Sequence, residues 1–168
     1  MEISSDHENR KQVWDLIKDA HSALLVTIGA DGCLDSRPMG CLQKDFDGSL
    51  WFLTFKNSKK IDEIVKDGRV LISYAKSAAY EYVSISGTAH VIEDRTKIME
   101  LWKEGLRVWF PKGPEDPDLA LLVVDVKLVK YWTDPASTVT YAWAYAKSRL
   151  TGKRPAFNEI AKIGVIRF

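Results

Sequence analysis

The spacing of apolar residues changes along the chain, and each change marks an element. Val13, Trp14, Ile17 and Ala20 recur at helical spacing and predict an amphipathic helix over about residues 9–20. From His21 to Ala30 the run HSALLVTIGA is apolar and β-prone, and Ala30-Asp31-Gly32 is a turn signal. A second strand is expected over 34–43, and Asp47-Gly48 marks the next turn. LWFLTF, residues 50–55, predicts a third strand too apolar to be exposed on both faces. Short turns between these three strands predict an antiparallel meander, since parallel neighbours need crossovers of about a dozen residues. A short helix follows over 57–67, with Ile61, Ile64 and Val65 as its buried stripe and Asn57 or Ser58 as N-cap. A fourth strand is expected over 69–75 and a fifth over 80–92. In the fifth, Val83, Ile85, Ala89 and Val91 share one face, and Tyr82, Ser84, Ser86, Thr88 and His90 the other. Gly87 in its middle predicts a bulge or bend. Asp94 is placed to cap a helix to about Leu106, with Ile98, Met99, Leu101 and Trp102 inward. Beyond the Pro/Gly loop 110–117 come a long sixth strand over 119–132, a helix over 139–150 and a last strand over 162–168.

This order predicts a β-rich α+β fold, a barrel in preference to a sandwich, because closure hides the edges of such apolar strands. Length and composition narrow the class. The 168 residues suit one domain, and 46% apolar with 28% charged residues exclude a disordered chain. Lys and Arg number 24 against 23 Asp and Glu, so nothing favours bulk nucleic-acid or membrane affinity. No apolar run approaches the roughly 18 residues of a membrane helix, and the charged start MEISSDHENRKQ has no apolar signal core, so a cytoplasmic protein is expected. Two cysteines, Cys33 and Cys41, make neither a disulfide framework nor a four-cysteine zinc site, and read as small strand residues. His7, His21 and His90 have no metal-like spacing, so no metal is expected. Nucleotide-binding glycine loops and nucleophile motifs are absent, and no catalytic residue can be named. Glu115 and Asp116 lie in the Pro-rich loop and read as a solvated turn.

Three segments carry candidate chemistry. Leu53-Thr54-Phe55-Lys56-Asn57-Ser58-Lys59-Lys60 ends a strand and opens a helix. Helix N-termini bind anions, yet Lys59 and Lys60 fall in the first turn, where cations oppose the macrodipole. A phosphate between the lysines and the Ser58 hydroxyl would account for them; solvated lysines offset by Asp62 and Glu63 are the other reading. In Ser36-Arg37-Pro38-Met39-Gly40 the proline requires an edge strand or a bulge, and Arg37 beside it could reach an anion or be a plain surface residue. Trp102, Trp109, Phe110, Tyr131, Trp132 and Trp143 gather in the second half of the chain. Trp102 has helical spacing and reads as core, whereas Trp109 and Phe110, before the loop, are candidates for a pocket wall.

With these elements and motifs, the chain resembles the pyridoxamine 5′-phosphate oxidase-like, FMN-binding split β-barrel superfamily, and within it the general stress protein 26 group. The resemblance implies a six-stranded antiparallel Greek-key split barrel with peripheral helices: an FMN-binding domain over 1–135, with a C-terminal helix and tail, 136–168, packed on it. Gly152-Lys153-Arg154-Pro155 is similar to that group's usual ending. Thr54 followed by Ser58, Lys59 and Lys60 resembles the superfamily's FMN phosphate clamp. The likeness further implies that Arg37, Pro38 and Met39 run alongside the flavin, that Tyr82 stands where a flavin-contacting Gln is common, and that Trp132 approaches the flavin of a second subunit. FMN as cofactor, bound at a homodimer interface, follows from it. Leu42 stands where pyridoxamine-phosphate oxidases carry a substrate lysine, and the ending Val165-Ile166-Arg167-Phe168 lacks their Arg-x-His motif. The expected function is therefore an FMN-dependent oxidoreductase of the general stress type, not a pyridoxamine-phosphate oxidase. A flavin-binding stress protein without turnover, or a split barrel holding a deazaflavin or haem, are the other readings.

Overall fold

The computed structural model describes residues 2–76, 79–133, 138–153, 155 and 161–168, with side chains described for all of these except 2–5 and 138–141. Arg154, in the family-like ending, lies outside them, as do 136 and 137 at the start of the expected tail. In chain order the elements are α1 (Glu2–Ile17), β1 (Ser22–Ile28), β2 (Leu34–Gly40), β3 (Ser49–Phe55), α2 (Lys59–Lys66), β4 (Arg69–Lys76), β5 (Glu81–Ile92), α3 (Arg95–Leu101), a 3-10 helix (Glu104–Val108), β6 (Leu119–Thr133), α4 (Thr138–Thr151) and β7 (Lys162–Arg167). The strands form one antiparallel sheet in the order β2-β1-β4-β5-β6-β3, with β7 also pairing to β6. This is the expected β-rich α+β split barrel, with one strand more than six.

The expected meander does not form. β1 and β2 pair from Ser22↔Gly40 to Ile28↔Leu34, but β3 leaves them and pairs with β6, from Ser49↔Asp125 to Phe55↔Leu119. The reason lies in the faces of β3. Leu50 and Phe52 face the main core with Val13, Leu25, Ile72 and Ile85, while Leu53 faces a second cluster with Ile98, Leu101, Leu119, Leu121 and Val123. Both faces must be covered, and only the place beside β6, with α3 behind it, covers both. β2 has one buried side chain, Met39, and is an edge strand. The register continues through Pro38↔Leu24, so the missing N–H of Pro38 faces the free edge, as a proline in a strand demands. On the β3 side, Gln43 replaces a strand partner: its Oε1 accepts from Trp51 N at 2.9 Å and its Nε2 donates to Ser49 O at 2.9 Å.

β6 is long enough to serve two partners on one edge. Its first half holds β3, and Leu128 to Thr133 hold β7. Between them Lys127 is left out of the β5 register, which steps from Ser86↔Leu128 to Gly87↔Val126. The bulge expected at Gly87 is therefore real, and it bends β5 and β6 where the sheet coils.

Some local expectations fail. Asp94 caps α3 by accepting from Lys97 N at 3.0 Å, but α3 ends at Leu101 and the chain continues as the 3-10 helix. Met99 faces solvent, and Trp102 is half-buried. Val65 is 78% exposed, and the core-facing side of α2 carries Ile61, Glu63 and Ile64 instead. Asp116 is buried, not solvated, because its carboxylate accepts from Asp118 N at 3.0 Å and closes the loop. Cys33 is exposed in the turn before β2, and Cys41 lies just beyond it.

Gly87 tests the bend. A Cβ there would collide with the Asp125 carbonyl oxygen and lie 2.9 Å from Val124 Cγ1. Gly87→Ala should cost about 1–3 kcal/mol, the range for overpacking, read as a lower urea midpoint. Val65→Ser on the exposed side of α2 should stay within about 0.5 kcal/mol.

Candidate functional site

The barrel is open between β2 and β3, and a cleft of ≈ 470 Å³ occupies the opening. Arg37, Pro38 and Met39 line it from β2, and Leu53, Thr54 and Phe55 from the end of β3. Lys60 enters from the first turn of α2, and Leu106, Trp109 and Phe110 close the side opposite β2. The volume falls in the usual range for small-molecule sites, about 300–1,000 Å³.

One end of the cleft is polar. Ser58 is the N-cap of α2, but its hydroxyl makes no capping hydrogen bond. The hydroxyl instead accepts from Lys60 Nζ at 3.1 Å and lies 3.4 Å from Thr54 Oγ1. Ile61 N donates to Ser58 O at 2.8 Å, while the N–H groups of the first two residues of a helix have no intrahelical acceptor and are open to a ligand anion. Lys60 makes no ion pair with a described carboxylate. Its ammonium is held below the ordinary lysine value, chiefly by burial and further by the Arg37 charge.

The two lysines part company here. Lys59 is exposed and turned away, with its Nζ 3.0 Å from Asp35 Oδ2 and 3.4 Å from Glu63 Oε1. Arg37 is also spoken for: its Nη2 lies 2.9 Å from Glu63 Oε2 and 3.1 Å from Asp35 Oδ2, and its Nη1 donates to Thr27 Oγ1. Thr27 Oγ1 donates to Glu63 Oε2 at 2.6 Å. That hydrogen bond, then Arg37, holds the Glu63 carboxyl below its ordinary value against the opposing effect of burial. Direct ion pairing with acidic neighbours thus applies to Lys59; Lys60 has none among the described residues and feels only the more distant charge of Glu63, which opposes the effects of burial and Arg37.

The 3-10 helix and the loop after it form the wall opposite β2. The Phe110 ring meets Phe55 edge-on at 5.1 Å and lies 6.4 Å from Trp102, which seats this wall on β3. Trp109 beside it is 73% exposed at the cleft mouth. Arg95 ties down the loop base, donating to Asp116 O at 2.8 Å and Pro117 O at 3.2 Å.

Of the residues singled out from sequence, Arg37, Pro38, Met39, Leu53, Thr54, Lys60, Trp109 and Phe110 meet around the cleft, with Ser58 touching Lys60 and Thr54. Lys59 does not face it. Tyr82 and Trp132 lie elsewhere, opposite one another on β5 and β6. His21, Ser22 and Leu106 also line the cleft and went unnoticed in the sequence, as did the roles of Thr27 and Asp35 behind it; Phe55 lies in the strand-to-helix run, and Glu63 was read there only as an offset to the lysines. The spare cation count near α2 was the signal that could have found Glu63.

An antiparallel barrel split between two edge strands, with a polar helix start and an apolar aromatic wall at the split, defines a split-barrel protein with an open cleft. The model of the pyridoxamine 5′-phosphate oxidase-like family matches residues 8–156, and the chain belongs to that family. It is similar to Protein bli-3 of Neurospora crassa, 28% identical over 141 residues, covering 79% of this chain and 68% of that one. Among solved structures it resembles a general stress protein 26 from Jannaschia sp. CCS1 (TM-score 0.69, 22% identity), which covers 98% of this chain and 99% of its own. It also resembles the general stress FMN/FAD binding protein of Xanthomonas citri (TM-score 0.66, 28% identity), over 78% of this chain and 92% of that one.

Arg95→Ala should release the loop without touching the sheet. Hydrogen exchange is expected to quicken across 106–118 and to stay unchanged in β4 and β5, because the lost bonds hold only the loop backbone.

Proposed function

We propose that the cleft binds FMN and that the protein is an FMN-dependent oxidoreductase of the general stress protein type, acting as a homodimer in the cytoplasm. The observation that carries this reading is the polar end of the cleft: an N-cap serine that does not cap, a threonine beside it, and a part-buried lysine without a carboxylate partner. These groups fit a phosphate monoester. Thr54, Ser58 and Lys60 would hold it, with Arg37, Pro38 and Met39 beside the rest of the cofactor and Trp109 and Phe110 limiting access by water. The Xanthomonas citri relative, described as an FMN/FAD binding protein, supports the same ligand class. When bound, the flavin supplies the redox chemistry, so the chain needs to bind, orient and shield rather than provide an acid or base. Leu42 presents an apolar side chain to the cleft, which speaks against a second phosphate site there and so against pyridoxamine phosphate as substrate. Two unpaired cysteines suit a reducing compartment.

The dimer is supported by the outside of the sheet. Tyr82, 42% exposed, pairs with Trp132, which pairs with the half-exposed Ile163, giving an aromatic and apolar row across β5, β6 and β7. Rows of this kind are typical of interface cores. Light scattering should give twice the chain mass, and Trp132→Glu should return it to one chain mass; a wild-type monomer would sink the dimer.

FMN should bind more tightly than riboflavin. Lys60→Ala should remove most of that preference, about 1.5–3 kcal/mol for a charge-assisted hydrogen bond, whereas Lys59→Ala should change it little. A bound phosphate favours the Lys60 ammonium and raises its pKa in the complex, so the preference is full below the Lys60 pKa of the free protein and is lost as pH rises from there through the pKa of the complex. That decline should begin below the ordinary lysine value of about 10.4. Titrations of both flavins by fluorescence quenching, from neutral to alkaline pH, read all three; equal affinities at neutral pH would refute the reading.

A further inference from the structure

Glu63 is 4% exposed and pairs with Arg37, whose side chain is 19% exposed, and a pair so buried is weak evidence for stability. Taking two charges out of water costs more than most ion pairs return, and apolar side chains of similar volume would serve the core as well. What the pair does supply is geometry. Glu63 Oε2 accepts from Arg37 Nη2 at 2.9 Å and from Thr27 Oγ1 at 2.6 Å, and Arg37 Nη1 donates to Thr27 Oγ1. The ring so closed joins β1, β2 and α2, the three elements whose mutual placement sets the polar end of the cleft. Asp35 adds a second carboxylate 3.1 Å from Arg37 Nη2. Arg37 still lines the cleft, and a guanidinium has five N–H donors, of which these two hydrogen bonds use two.

We propose that Glu63 is a positioning residue: it fixes the Arg37 guanidinium in the cleft wall to receive the uncharged part of the cofactor, and leaves the phosphate to Lys60. The proposal rests on the FMN reading. Without Glu63, Arg37 would keep only the more exposed Asp35 carboxylate and the Thr27 hydroxyl, and a bound phosphate would compete for it and draw it off the wall. Because Nη2 is held by the Glu63 and Asp35 carboxylates and Nη1 by the Thr27 hydroxyl, Arg37 stays where strand β2 puts it, with donors left over for carbonyl or ring-nitrogen acceptors. The division of labour is electrostatic: one cation neutralised and fixed, the other left free.

Riboflavin isolates the role of Arg37, since it has no phosphate for Lys60. Glu63→Gln, Arg37→Met, the double variant and Thr27→Val would each be titrated with riboflavin and FMN by fluorescence quenching, with melting temperatures recorded alongside. Glu63→Gln should weaken riboflavin about tenfold, the size expected for loss of one charge-assisted contact. It should add no further loss in the Arg37→Met background, because it acts through that residue. Thr27→Val, which opens the ring from the other side, should weaken riboflavin in the same direction and decides the matter if Arg37→Met does not fold. Unchanged riboflavin binding in Glu63→Gln and Thr27→Val would overturn the proposal. So would an equal loss with and without Arg37, or a loss confined to FMN, which would make Glu63 a counter-charge to the phosphate. A wild-type protein that binds neither flavin would overturn the FMN reading and this proposal together; wild-type binding with an indifferent Glu63→Gln overturns only the latter.

Discussion

Strand β3 has apolar side chains on both faces, and the rest of the architecture follows from covering them. Beside β2 one face would meet water. Beside β6, Leu50 and Phe52 reach the main core and Leu53 reaches α3 and the start of β6. Taking that place leaves β2 and β3 as the two ends of the sheet, facing each other without hydrogen bonds across the gap. The cleft is therefore a by-product of strand burial. Its β3 side comes from a strand already committed to the core, while the 3-10 helix that closes the other wall has no buried residue of its own.

Charge at the gap is distributed by α2. Its first turn brings Lys59 and Lys60, and its inward side brings Glu63, so one short helix carries both the cations and the carboxylate that sorts them. Lys59 and Arg37 are neutralised within the protein. Lys60 is not, and burial makes its charge costly enough that an anion beside it would be welcome. Ser58 turns its hydroxyl to Lys60 instead of capping, although a serine at an N-cap normally satisfies the helix it precedes.

Much of this was legible in the sequence, for reasons that can be named. The bulge at Gly87 followed from a glycine inside a cleanly alternating strand, and the edge position of β2 from Pro38. Eight of the cleft residues followed from a strand-to-helix run, a proline-marked strand and two aromatics before a turn-rich loop. The meander was misread because loop length restricts which strands can be neighbours but does not choose among them; two-sided burial of β3 made the choice. Val65 and Glu63 were exchanged because helical periodicity counts apolar residues and has no place for a carboxylate that is buried by its partners. Those partners, Thr27 and Arg37, are distant in sequence, so the local pattern offered only the cations of the first turn as a sign of Glu63. Tyr82 and Trp132 were placed correctly on strands, but one chain does not bring them to its own cleft.

The gap between β2 and β3 has a consequence for colonies of unfolding or newly made chains. Two unpaired strand edges side by side are the usual templates on which another polypeptide adds a strand and aggregation begins. Each edge here is blunted by a different device. Pro38 leaves β2 without an outward N–H at its middle, and the Gln43 amide occupies Ser49 O and Trp51 N along β3. A barrel can thus stay permanently open to a small molecule while remaining closed to a foreign strand.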